Sequence, residues 1–126
     1  MEDLYEKRRM DRNDYSIHRC CYSGEDFSGG NFSNLSFDGF VMDRMDIQGA
    51  DFEGSSFKKV SMVRTEAGGA IFKGCDFTDA DLRYTNFIEA TFEDCILTGA
   101  KLYGAEFIEA DLYGTDFTGL DRAGVS

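Results

Sequence analysis

The chain has 126 residues, room for one hydrophobic core and no more. Its 24 acidic residues outweigh 13 basic ones, and the net charge of −11 excludes direct binding to nucleic acid phosphates. No apolar run approaches the length of a membrane span and Met1–Leu4 opens no apolar signal region, so a soluble cytoplasmic protein without a membrane partner is expected.

Residues 1–19 carry five acidic and five basic residues and therefore no net charge. Leu4, Tyr5, Met10, Tyr15 and Ile17 point to an N-terminal capping arm or short helix, which would cover the open edge of whatever structure follows. His18, the only histidine, lies here with no evident partner for nucleophilic or acid–base work. The adjacent Cys20 and Cys21 lack the Cys-x-x-Cys spacing or His pair of a metal site.

From residue 20 to 119 one pattern governs the chain. A bulky apolar residue falls at every fifth position from Tyr22 to Phe117, as in Phe27, Phe32, Phe37, Met42 and Ile47, with one lapse at Ala67. Two residues before each of these stands, in the later repeats, a small side chain such as Ala50, Ser55, Ala70, Cys75 or Ala80. The residue between is often Asp or Asn, as in Ala80-Asp81-Leu82. A period of five fits neither the 3.6 of a helix nor the 2.0 of a strand, so it marks an internal repeat and a solenoid.

These residues resemble the pentapeptide-repeat family, whose consensus is a small residue, Asp or Asn, Leu or Phe, and two variable positions. The resemblance implies an all-β fold, a right-handed quadrilateral β-helix in which four pentapeptides make one coil of twenty residues. About five coils would stack over residues 20–119, at ~4.8 Å per coil a rod on the order of 24 Å long. Central side chains would form inward ladders, Phe32, Phe52, Phe72, Phe92 and Leu112 on one side and Phe37, Phe57, Phe77, Leu97 and Phe117 on the next. Stacked rings account for the twelve Phe without a cofactor. Cys75 and Cys95, twenty residues apart at the small position, are expected as buried thiols. No metal site, cofactor or catalytic constellation is expected, and glycines belong to tight corners.

In this register each charge has a face. The face centred on Phe27, Ile47, Ala67, Phe87 and Phe107 bears Glu25, Asp26, Asp46, Glu66, Glu89, Glu106 and Glu109 and no Lys or Arg, which makes it the candidate partner-binding face. The neighbouring face has Asp51, Glu53, Glu93, Asp94 and Asp111 against Lys73. The third is weakly acidic; the fourth sets Asp43 and Asp81 against Arg44, Arg64, Arg83 and Lys101. Like charges stacked at strand spacing repel, so the segregation carries a cost that solubility alone does not require.

Duplex DNA carries about one charge per 1.7 Å, or ~14 over ~24 Å, close to the net charge of this rod. The resemblance implies a role of the same kind, since quinolone-resistance members of the family resemble DNA and engage DNA gyrase or topoisomerase IV. The expected partner is thus a DNA-binding protein, a topoisomerase or a phage-directed defence nuclease, which the rod inhibits or protects. A general protein-interaction scaffold without DNA mimicry is the alternative. This chain is shorter than the gyrase-directed relatives and has no inserted loop, which leaves the target open.

Near the C-terminus Ile88, Ile96, Tyr103, Ile108 and Tyr113 point outward and mark a partner contact or a homodimer through the last coils. Residues 120–126 follow as a tail. Around Ala67 and Gly68-Gly69 the missing core volume predicts a distorted coil.

Overall fold

The computed structural model describes residues 23–126. The N-terminal arm, His18, Cys20, Cys21 and Tyr22 lie outside the described residues. From Ser23 onward the five-residue beat becomes a five-residue backbone unit. Each unit is a turn that opens on the central apolar residue, and in most units the N–H three positions later bonds back to its carbonyl, as Ala50 to Ile47 at 3.1 Å and Ala80 to Phe77 at 3.0 Å. The second residue inside each turn has positive φ (Gly49 +68°, Gly54 +74°), the signature of a type II turn.

Four such turns return the chain to its starting face, one coil further along. Successive coils are joined by parallel bridges between residues twenty apart, for example Asp51 to Ile71 and Ile71 to Thr91. Phe52 N–H bonds to Ile71 O at 2.8 Å, and Ile71 N–H to Ala50 O at 2.9 Å. The turns use so much of each five-residue unit that a side keeps a single bridged residue. The expected all-β sheet is therefore a set of isolated bridges, with no continuous strand among the described residues.

The core lies inside the coils. The expected ladders are present: Phe52 stacks on Phe72 with ring centroids 5.5 Å apart and planes 4° apart, and Phe57 on Phe77 at 4.9 Å and 5°. The two ladders meet edge to face, as Phe72 with Phe77 at 5.4 Å and 68°, a favourable arrangement for aromatic rings.

The small positions are more than space-savers. Ser55 Oγ donates to Phe32 O at 2.7 Å, Cys75 Sγ to Phe52 O at 3.0 Å and Cys95 Sγ to Phe72 O at 2.7 Å; Thr115 repeats the bond to Phe92 O. Thr65 and Thr85 do the same on another side, to Met42 O and Met62 O. The hydroxyls of Ser55, Thr65 and Thr115 also accept an N–H from the neighbouring coil. Polar atoms at these inward positions thus satisfy main-chain groups between coils.

No distortion occurs at Ala67. It is fully buried, its N–H reaches Asn86 O at 2.8 Å, and Gly69 takes the ordinary turn conformation (+68°) with its N–H on Ile88 O at 2.9 Å. Hydrogen bonds between coils set the backbone path, so a small core residue changes the filling and leaves the path alone. One coil on, Phe87 packs edge to face on Phe72 at 5.7 Å and 85°, bringing a ring across the core beside this position.

At the other end the core opens. Leu112 and Phe117 are half-buried, and residues 120–126 continue the coil: Phe107 N–H bonds to Ser126 O at 2.7 Å and Ser126 N–H to Ala105 O at 3.0 Å. Arg122 occupies the central position where an apolar residue would close the core. With Leu102, Phe107, Leu112, Phe117 and Val125 it lines an open cavity of about 250 Å³.

Candidate partner-binding faces

The acidic face is built on one bridged column, Asp26, Asp46, Glu66, Asn86 and Glu106, each paired with the next through parallel bridges. Asn86 interrupts the run of charge and donates to Glu66 Oε1 at 3.1 Å. Glu89 and Glu109 stand at the adjoining corner with φ of +63° and +59°. Glu25 is half-buried at the first described turn. The register therefore brings Asp26, Asp46, Glu66, Glu89, Glu106 and Glu109 to one side of the solenoid.

The acids fall into two kinds. An Asp or Asn just before a central apolar residue accepts the N–H two residues ahead and braces the turn: Asp26 to Ser28 at 2.9 Å, Asp46 to Gln48 at 3.1 Å, Asp51 to Glu53 at 2.9 Å and Asp111 to Tyr113 at 3.1 Å. Ser28 holds the Asp26 carboxyl below the usual carboxylate range, and Thr118 does the same for Asp116. Glu53, Glu66, Glu89, Glu93, Asp94, Glu106 and Glu109 brace no turn of their own through such a bond. Their charge is surplus to the needs of the fold.

On the neighbouring face Glu93 and Asp111 come together. The Asp111 carboxyl beside it, with burial second, pushes Glu93 above its ordinary value, while Lys73 approaches Glu93 at 3.9 Å and draws it back. Asp94 sits at the corner with φ +55°. Asp51 and Glu53 share a shallow open groove with Lys73 and Asp94.

Near the C-terminal end, Ile96 (49 % exposed), Ile108 (48 %), Tyr103 (53 %) and Tyr113 (75 %) are indeed open to solvent. Ile88 is half-buried, in the same column as Ile108 one coil away. Sequence reasoning missed Tyr84, which is also exposed, lies under the Arg64 guanidinium at 4.6 Å and meets Tyr103 edge to face at 5.7 Å. The signal was available, because Arg64, Tyr84 and Tyr103 share the fourth face in the twenty-residue register.

Among the described residues no group of three or more His, Cys, Asp or Glu side chains could hold a metal ion, and no helix is long and apolar enough to cross a membrane. The thiols of Cys75 and Cys95 are buried, which raises both pKa values, that of Cys95 to about 11. Neither thiol is a nucleophile near neutral pH.

The family model described as pentapeptide repeats (8 copies) matches residues 26–62, 61–99 and 93–119. The chain belongs to the pentapeptide-repeat family. Solved pentapeptide-repeat structures agree. Rfr23 of the cyanobacterium Cyanothece 51142 overlays with a TM-score of 0.70 at 18% identity, covering 92% of this chain and 97% of that one. A pentapeptide-repeat protein of the Arabidopsis thaliana thylakoid lumen gives 0.59 at 26% identity, over 85% of this chain and 71% of that one. The protein alr5209 of Nostoc Pcc 7120 gives 0.59 at 20% identity, over 100% and 93%. A comparison with curated protein sequences found no match. At these identities, the likeness of Rfr23 and alr5209 carries the fold alone.

Proposed function

We propose that this pentapeptide-repeat protein is a non-enzymatic acidic rod, a right-handed quadrilateral β-helix that mimics duplex DNA. It binds a DNA-processing protein of the cytoplasm, a topoisomerase such as gyrase or a phage-directed defence nuclease, and inhibits or protects it. One observation carries the reading: the acidic face keeps glutamates that brace no turn and has no Lys or Arg across its coils. Glu89 and Glu109 even occupy left-handed corners where glycine would be unstrained. A rigid, narrow, single-signed surface suits a protein groove shaped for DNA, because shape gives selectivity and the long-range field speeds encounter.

The test is displacement. Proteins retained on the immobilised chain should include DNA-binding proteins, and short duplex DNA should release them. Retention that duplex DNA leaves untouched would favour a general interaction scaffold instead.

The open C-terminal core and the exposed Ile96, Tyr103, Ile108 and Tyr113 favour a homodimer through the last coils, which would lengthen the acidic rod. Light scattering at micromolar concentration and about 0.5 M salt, where exposed ion pairs are screened, should return twice the chain mass; the monomer mass would remove this part of the proposal.

A further inference from the structure

The fourth face carries positive charge in a chain whose net charge is −11. Its carboxylates are already engaged: Asp81 pairs with Arg83 at 2.7 Å, and Asp43 accepts from Ser61 Oγ and Val63 N–H at 2.7 and 2.9 Å. Arg44, Arg64 and Lys101 make no ion pair among the described residues. This occurs although Asp46 and Glu66 stand just around the corner, two residues along the chain from Arg44 and Arg64.

The corner itself is strained. Arg44, Arg64 and Tyr84 occupy the left-handed turn position in three successive coils, with φ of 58°, 60° and 61°, where the same column elsewhere has Gly24, Gly104 and Gly124. Long side chains at positive φ cost energy that glycine avoids. The cost recurs in consecutive coils and leaves two guanidiniums exposed one above the other, the lower one resting on an aromatic ring.

We infer that the Arg44–Arg64 corner docks the acidic face of a second copy of this chain, side by side. Spacing selects this occupant. Guanidiniums one coil apart repeat at ~4.8 Å, whereas same-face residues recur at about 6.8 Å along an extended peptide. A helix advances about 5.4 Å per turn. Neither keeps step with the corner. The column Asp26, Asp46 and Glu66 on another copy has the same coil spacing, so opposite charges meet over successive coils without accumulated misfit. Nucleic acid phosphates would meet the same guanidiniums only against the repulsion of the two acidic faces. The contact is heterologous: one copy keeps its acidic face unused and the other its corner, so further copies can add beyond the pair. It is independent of DNA mimicry and of the end-to-end dimer, which rests on apolar contact.

Sedimentation velocity at about 20 mM and about 0.5 M salt tests it, because exposed ion pairs are screened at the higher value. The wild-type chain should form species beyond a dimer at low salt and lose them at high salt. R44E/R64E and E66K/E106K should each lose the salt-dependent species when alone. Mixed one to one, they should pair, since the first retains the acidic face and the second the basic corner, and the pairs should not extend laterally. K58E/K59E changes net charge as much as R44E/R64E but lies on the third face, and should associate like wild type. Association unchanged in R44E/R64E, equal loss in K58E/K59E, or failure of the mixture to pair would overturn the inference. So would single-stranded DNA bound through Arg44 and Arg64 while copies stay apart. A salt-insensitive dimer common to all variants is the end-to-end contact and is read separately.

Discussion

The ring of Tyr84 occupies the space in which a side chain at Gly104 would begin. A Cβ built on Gly104 would come within 2.7 Å of Tyr84 Cε1 and nearer still to its Cδ1, so the exposed tyrosine of one coil lies directly against the turn of the next. Gly74 takes the same turn conformation, +70° against +75°, with nothing near its Cβ position. The two glycines separate backbone strain from crowding.

G74A should therefore cost about 1 kcal/mol, the strain of a non-glycine residue at positive φ. G104A should cost more, because Tyr84 must also move off Arg64. Urea unfolding of both variants checks this; equal losses would show that the Tyr84 contact carries no weight.

The inward polar ladder predicts a different asymmetry. S55C keeps the donor to the Phe32 carbonyl, as Cys75 and Cys95 do in the same column, but offers Leu35 N–H only a weak acceptor, so it should cost less than the loss of both bonds. T65V keeps the shape of Thr65 but leaves the Met42 carbonyl and the Met45 N–H without the hydroxyl, and should destabilise by about 1–3 kcal/mol. Chemical denaturation midpoints measure both.

The buried thiols give stability a pH dependence of known sign. Folded Cys75 and Cys95 hold their protons above the unfolded value of ~8.5, Cys95 up to about 11. An unfolded thiol releases its proton first. Their contribution is thus complete below pH ~8.5 and declines as pH rises toward 11. C75S/C95S retains donors at both positions and should show a shallower loss of thermal midpoint between pH 8 and about 10.5.

Asp111 combines two roles that one substitution separates. Its carboxylate braces the turn at Tyr113 and raises Glu93 by proximity. D111N keeps an oxygen for the turn and removes the repulsion, so it should be at least as stable as wild type at pH 7 and gain less on acidification. D111A loses the turn bond as well and should fall below D111N by about 1 kcal/mol.

How much of this was legible in the sequence differs from residue to residue. Phe52 and Phe72 could be stacked on paper, because a fixed twenty-residue coil turns spacing directly into adjacency. The regular path at Ala67 was not legible: main-chain bonds hold it, and the sequence shows only a missing side chain. Asp46 and Glu66 look equivalent as charges, yet the carboxylate of one braces a turn at Gln48 and that of the other accepts from Asn86 on the next coil. The resemblance implied coils joined side by side, but not that turns recur so often that each side retains one bridged residue. The same spacing puts Tyr84 beside Arg64 and Tyr103, twenty and nineteen residues away, but a ring at a turn position reads as an ordinary variable residue until its neighbours are stacked on it.

The distinction between bracing and surplus acids also designs the decisive experiment. E66K/E89K/E106K/E109K reverses the acidic face without removing any of the Asp or Asn turn bonds, so folding should persist and thermal unfolding can verify it. The measurement is affinity for the captured DNA-binding target as a function of salt. DNA mimicry predicts tight wild-type binding that weakens steeply with salt and competes with duplex DNA, and loss of binding in the reversed chain. Equal affinity of the folded, charge-reversed chain for the same target would contradict the account.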